Sequence, residues 1–120
     1  LAKKNNIGVI IAEPLAQGLL TNKYKIGHTF PKNDLRSSSY SKQLLEKKLK
    51  RVKQFNFLIK KNRTLNQAAL AYILSKEEVS TCIPGAKSTE QLISNTTSSK
   101  IELNQPELMK IKEIQEEWRD

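Results

Sequence analysis

Val79-Ser80-Thr81-Cys82-Ile83-Pro84-Gly85-Ala86-Lys87-Ser88-Thr89-Glu90-Gln91 is the stretch whose reading decides the fold class of this chain. Val79 to Ile83 make a short, β-branched apolar run that Pro84-Gly85 closes, and Ser88 with Gln91 three residues later is a capping-box spacing that opens a helix reaching about Asn95. A strand that passes through a glycine turn into a capped helix start collects unpaired backbone N–H groups, and the helix N-terminus carries partial positive charge. Lys87 adds a full charge beside them, so phosphate is the natural ligand. The same residues also suit an ordinary strand-to-helix connection with a surface lysine, and the residues alone leave both readings open.

Outward from this unit, a second strand is expected near the start, where Ile7-Gly8-Val9-Ile10-Ile11 is β-branched and does not alternate. That pattern belongs to a strand buried on both faces of a parallel sheet. Ala12-Glu13-Pro14 ends it, and residues 15–41, with Gly18, Gly27, Pro31, Asn33, Asp34 and a run of serines, read as a long βα loop with at most one helical turn. Loops of this length are usually functional. Gly18 permits close backbone approach just past the strand's carboxyl end. Arg36 carries a planar fork suited to clamping a phosphate, although a solitary loop arginine is more often solvated.

Over residues 42–61, Leu45, Leu49, Val52, Phe55 and Ile59 recur at helical spacing and form one apolar stripe, the lysines taking the other face. Thr64 is placed to cap a second helix whose stripe is Leu65, Ala68, Ala69, Tyr72 and Ile73, with Tyr72 in the core. Asn104 and Pro106 introduce a last helix, residues 106–118, with Leu108, Ile111, Ile114 or Gln115, and Trp118 on one face. Two strands separated by helices imply a parallel, right-handed crossover, and parallel sheets normally have more than two strands and helices on both faces. The predicted unit therefore exposes apolar surface and open strand edges, to be covered by another chain, by self-association or by a missing N-terminal half.

Composition narrows the classes. With 38% hydrophobic and 28% charged residues the 120-residue chain is globular in character, and it has no apolar run long enough to span a membrane. Leu1-Ala2-Lys3-Lys4-Asn5-Asn6 leads into no signal-peptide pattern, so a soluble, cytoplasmic protein is expected. The lone Cys82 is expected to pack as a small buried hydrophobe. Residues 42–63 hold nine Lys or Arg against the single Glu46, a segment charge of +8 within a net +9. Such a segment suits nucleic acid or an anionic membrane surface, but it is read first as the wet face of an amphipathic helix. His28 has no companion ligands for a metal, and no nucleophile or Tyr–Lys pairing marks a catalytic centre.

The two loop motifs, in this order and about seventy residues apart, resemble the end of the aldo-keto reductase family over essentially the whole chain, residues 1–120. The resemblance implies an α/β fold: the C-terminal part of a (β/α)8 TIM barrel, with two parallel strands and several helices. Residues 7–24 resemble the seventh strand and its loop, residues 64–75 the seventh outer helix, residues 79–95 the eighth strand with its adenosine-phosphate helix, and residues 106–118 the C-terminal cap. In such barrels the phosphate site commonly lies after strands seven and eight.

By that resemblance the loop at residues 14–36 folds over the pyrophosphate of NADPH through Leu15, Gln17 and Gly18, with Lys23 and Arg36 as further contacts. Gly85 and Lys87 hold the adenosine 2′-phosphate, favouring NADPH over NADH, while Gln91 and Asn95 lie near the adenine. Ala12 stands where the family often has an aromatic residue, and Glu13 where it often has a small one. The family's catalytic Asp, Tyr, Lys and His belong to earlier strands, so no catalytic residue maps here. The expectation is the cofactor-binding part of an NADPH-dependent reductase of aldehydes or ketones, inactive alone; the rival is a non-catalytic basic module binding nucleic acid through residues 42–63.

Overall fold

In the computed structural model, which describes residues 1–119, the two strands pair in parallel as a two-stranded sheet, β1 (Ile10–Ala12) and β2 (Thr81–Ile83). Ile10 lies opposite Thr81, Ile11 opposite Cys82 and Ala12 opposite Ile83. The Ser80 hydroxyl accepts the Val9 N–H at 3.0 Å, and the Ser80 N–H donates to the Val9 carbonyl at 2.9 Å, prolonging the pairing backwards. Both strands are shorter than expected, beginning at residue 10 rather than 7 and at 81 rather than 79. Neither is buried on both faces: Ile10 and Ile83 remain 63% and 60% exposed, and Cys82 is half-buried rather than enclosed, its thiol pushed up by desolvation. The exposed Ile10, Ala12, Thr81 and Ile83 alternate with half-buried Ile11 and Cys82, so only one face of the sheet is covered by helix.

Between the strands run α1 (Arg36–Ser39), α2 (Lys42–Lys53) and α3 (Leu65–Leu74); after β2 come α4 (Thr89–Thr97) and α5 (Gln105–Glu116). The long loop holds more structure than the one turn expected, a 3-10 segment at Ala16–Thr21 as well as α1. Helix α2 is capped by Ser41 and stops at Lys53, not residue 61. The chain then tightens into a 3-10 turn at Asn56–Leu58, and Ile59 leaves the expected stripe, 38% exposed. Arg63 is the cause: its Nε donates to the Leu58 carbonyl at 2.8 Å and its N–H and carbonyl bridge to Lys60, folding residues 58–63 back on themselves.

Thr64 caps α3 through a reciprocal capping box with Gln67, and Asn104 caps α5 in the same way with Glu107, Pro106 lying in the first turn. Each box satisfies two of the orphan N–H groups of its helix start. α3 differs from its expected stripe. Leu65 and Ala68 are buried as expected, but so are Leu70 and Ala71, because the 3-10 segment at Ala16–Thr21, β2, α4 and the turn at Ser98–Lys100 pack around it. Ala69, Tyr72 and Ile73 are half-buried and line an apolar cavity of about 370 Å³ between α2, α3 and α5.

The core thus lies among helices. One cluster joins Phe55, Leu58, Leu65, Ala68, Ile111 and Ile114; a second joins Leu19, Leu45 and Leu49, and Val52 packs against both. Trp118 closes the first cluster edge-on to Phe55, centroids 5.3 Å apart, and its Nε1 donates to Gln54. The Cα radius of gyration, 15.3 Å, exceeds the roughly 13.6 Å of a compact domain this long, as an incompletely covered sheet requires. Part of the basic segment has internal partners, Arg63 pairing with buried Glu107, Arg51 lying over Trp118 and Lys48 over Tyr40, while its lysines are exposed. Among the described residues no helix is long and apolar enough to cross a membrane.

Arg63 and Glu107 are 11% and 8% exposed at the side chain, so this is a buried ion pair that ties the turn before α3 to the start of α5. The Arg63 hydrogen bond holds the Glu107 carboxyl below its ordinary value of 4.5, and the Asn104 N–H adds to the effect. A depressed carboxyl pKa stabilises the fold above the unfolded value, and that stability is lost as pH falls through the folded one. Glu107→Gln should therefore cost about 2–3 kcal/mol in urea unfolding at pH 7, through an unpaired buried arginine. The gap from wild type should begin to narrow as pH falls below about 4, the unfolded carboxyl range, and close only as pH falls through the lower folded value.

Candidate functional site

Parallel pairing sets Ala12 and Ile83, the last residues of the two strands, side by side, so the loop from Glu13 and the turn from Pro84 leave the sheet at the same, carboxyl end. Backbone conformation is unusual here. Glu13, Ala16 and Gln17 adopt left-handed φ of 50°, 49° and 56°, and Gly18 follows at 91°. Outside glycine each such residue costs about 1–2 kcal/mol, and backbone strain of this sort gathers at ligand sites. Gly18 has a second reason to lack a side chain: a Cβ there would stand 3.2 Å from the Tyr24 ring.

Arg36 reaches back to this turn. Its Nη1 donates to the Gln17 carbonyl at 3.1 Å and to the Tyr24 hydroxyl at 2.6 Å, while Nε and Nη2 grip the Asp34 carboxylate at 2.8 and 2.5 Å. The Arg36 hydrogen bonds hold the Asp34 carboxyl far below the usual carboxylate range, and the charge of Lys87 lowers it further. Asp34 in turn pushes the Arg36 guanidinium up. Tyr24, His28 and Phe30 pack as an aromatic cluster, centroids 4.6 to 5.2 Å apart, which occupies His28 in packing. Among the described residues no three His, Cys, Asp or Glu gather as a metal site.

Beyond β2, Ser88 caps α4 by accepting the Gln91 N–H at 3.2 Å. The Gln91 side chain departs from the expected capping box and accepts the Lys87 N–H at 2.8 Å, one residue further back, which shapes the turn itself. Asn95, 9% exposed, donates to the Gly85 carbonyl at 3.4 Å and accepts from Asn66 of α3 at 3.5 Å. Gln91 and Asn95 thus brace the turn from behind, and Lys87 stays exposed in front. At Gly85 no atom lies within 4 Å of a built Cβ and φ is not left-handed, so nothing inside the chain requires glycine there.

Leu15, Gln17, Gly18 and Arg36 lie in the loop that leaves β1, and Gly85, Lys87, Gln91 and Asn95 in the turn and helix that leave β2 at the same end of the sheet; Lys23 lies exposed beside Tyr24 in the first loop. Sequence reading missed Asp34, Tyr24 and Asn66, whose importance lies in partners that no local spacing announces. Gly18→Ala should lower stability by about 1–2 kcal/mol, from the left-handed φ and the Tyr24 contact, and thermal unfolding of the purified variant measures it.

The model of the Aldo/keto reductase family matches residues 1–116. An aldo-keto reductase of Schizosaccharomyces pombe named with NADP(+) is 31% identical over 92% of this chain and 34% of its own length. An aldo-keto reductase of Strobilurus tenacellus is 31% identical over 97% of this chain and 35% of its own. Among solved structures, the glycerol dehydrogenase of Gluconobacter oxydans superposes with a TM-score of 0.80 at 29% identity, over 94% of this chain and 35% of that one. The apo aldo-keto reductase of Bacillus halodurans, at 22% identity and TM-score 0.61, shares the fold. The chain spans about a third of the length of these relatives, whose barrels leave room for many more strands than the two seen here. Its two parallel strands, its flanking helices and its match over residues 1–116 together establish that the chain belongs to the aldo-keto reductase family of oxidoreductases, as part of a (β/α)8 barrel.

Proposed function

We propose that the chain is the C-terminal, cofactor-phosphate part of an NADPH-dependent reductase of aldehydes or ketones. The observation that carries this reading is the turn at residues 84–88, which combines an exposed lysine, the N-terminus of a nine-residue helix and a glycine that the chain's own packing does not need. A glycine without an internal reason serves close approach from outside. Lys87 with the α4 N-terminus would hold the 2′-phosphate, Gln91 and Asn95 shaping the turn beside the adenine. Leu15, Gln17 and Gly18, with Lys23 from the same loop, would cover the pyrophosphate. When bound, NADPH supplies the hydride, and the protein's part is placement and electrostatics.

The residues fit such a group, since the anionic Asp34 nearby is neutralised by Arg36 and leaves Lys87 to act on a phosphate. The exposed faces of Ile10, Ile83, Leu92 and Ile93 are where the rest of a barrel would pack. Without it the chain binds cofactor and does not reduce carbonyls; NADPH-dependent reduction by the isolated chain would overturn that part. By calorimetry NADPH should bind in preference to NADH. Lys87→Ala should weaken NADPH by about tenfold or more, the loss of one charge-assisted contact, and leave NADH unchanged. Gly85→Ala should leave thermal stability as it is and weaken NADPH. Equal affinity for the two dinucleotides, unmoved by Lys87→Ala, would sink the phosphate assignment.

A further inference from the structure

We infer that Arg36 is the positioning residue of the loop between β1 and α2: it holds that loop folded over the strand end, and it does not itself bind phosphate. The inference rests on the cofactor reading above and replaces a direct contact from Arg36 with an indirect one. A guanidinium has five N–H donors in a rigid fork. Four of Arg36's are committed inside the loop, two to Asp34, one to the Gln17 carbonyl and one to the Tyr24 hydroxyl. Its backbone N–H also donates to Asp34, at 2.9 Å. The flat face lies over Phe30, 4.4 Å from carbon to ring centroid, and 5.4 Å from that of Tyr24.

One side chain therefore ties together residues 17, 24, 30 and 34, sampling the loop from its first turn to its last. The tie at Gln17 falls on a left-handed residue next to Ala16 and Gly18, so Arg36 holds in place the turn that is costly to form. Its charge is already answered by Asp34, both side chains being 24% exposed, whereas Lys23 and Lys87 are exposed and form no salt bridge among the described residues. A phosphate drawing Arg36 to itself would have to strip a half-buried carboxylate of its partner. The two exposed lysines face no such cost. A loop ordered before the cofactor arrives does not charge that ordering to binding, which raises affinity without adding a contact.

The test compares wild type with Arg36→Gln, Asp34→Asn and the milder Tyr24→Phe. NADPH affinity is measured by fluorescence at several salt concentrations, and amide exchange over residues 15–35 without cofactor. As a positioning residue, Arg36 lost to Gln should weaken NADPH about tenfold while the salt dependence of binding stays that of wild type, since no phosphate contact is removed. Asp34→Asn should weaken it in the same direction, Tyr24→Phe by a smaller factor, and loop amides should exchange faster in all three. If Arg36 is a phosphate ligand, Asp34→Asn frees it and tightens NADPH, Arg36→Gln flattens the salt dependence, and loop exchange is unchanged; that pattern overturns the inference. Failure of wild type to bind NADPH overturns the cofactor reading instead, and the exchange comparison then decides by itself whether Arg36 holds the loop.

Discussion

Three parallel residue pairs, Ile10 with Thr81, Ile11 with Cys82 and Ala12 with Ile83, join segments about seventy positions apart and bring the loops that follow both strands to one end of the sheet. Closing a flexible loop of that length costs about 4 kcal/mol beyond a constant, and three pairs with exposed flanks return little more than this. The pairing is held by what lies between the strands. α3 packs directly against β2 and against the 3-10 segment that follows β1, so the helical core, not the sheet, keeps the strand ends in register. Shift β1 by one residue and the loop at Glu13 would start from the opposite face of the pleat, because side chains alternate along a strand.

That dependence explains where the charged residues are spent. Arg63 and Glu107 are buried as a pair that fastens the turn before α3 to the start of α5, and Arg36 and Asp34 fasten the loop after β1 to itself. Both pairs have their charges answered internally. Lys87, beside the α4 N-terminus, has its amide held by Gln91 and is itself exposed, outside both pairs. Of the nine basic residues in 42–63, those on α2 remain mainly on the wet face of an amphipathic helix, with Leu45 and Leu49 buried opposite.

Much of the architecture was legible in the residues. The caps Thr64, Ser88 and Asn104, the strand-closing Pro14 and Pro84-Gly85, and the parallel order follow from local chemistry, and each is found in the structure. Less legible were boundaries and burial. α2 ends eight residues early, where the chain tightens at Asn56–Leu58 and Arg63 folds residues 58–63 into a tight turn. Leu70 and Ala71 are buried although they lie off the expected stripe, because α3 is covered on more than one side. The apolar runs at 7–11 and 79–83 promised strands enclosed on both faces; here one face meets α3 and the other, carrying Ile10 and Ile83, is exposed.

The sequence by itself determined the element order, the helix caps and the turn that places Lys87 at a helix start, each written in residues a few positions apart, and the family, through two such motifs in a fixed order. The tertiary structure alone decided that Asp34, Tyr24 and the Gln17 carbonyl occupy the donors of Arg36, and that Asn95 reaches Gly85 and Asn66. Partners brought together by chain folding leave no periodic trace, because hydrogen-bond geometry depends on where side chains end up in space and not on how far apart they stand in the chain.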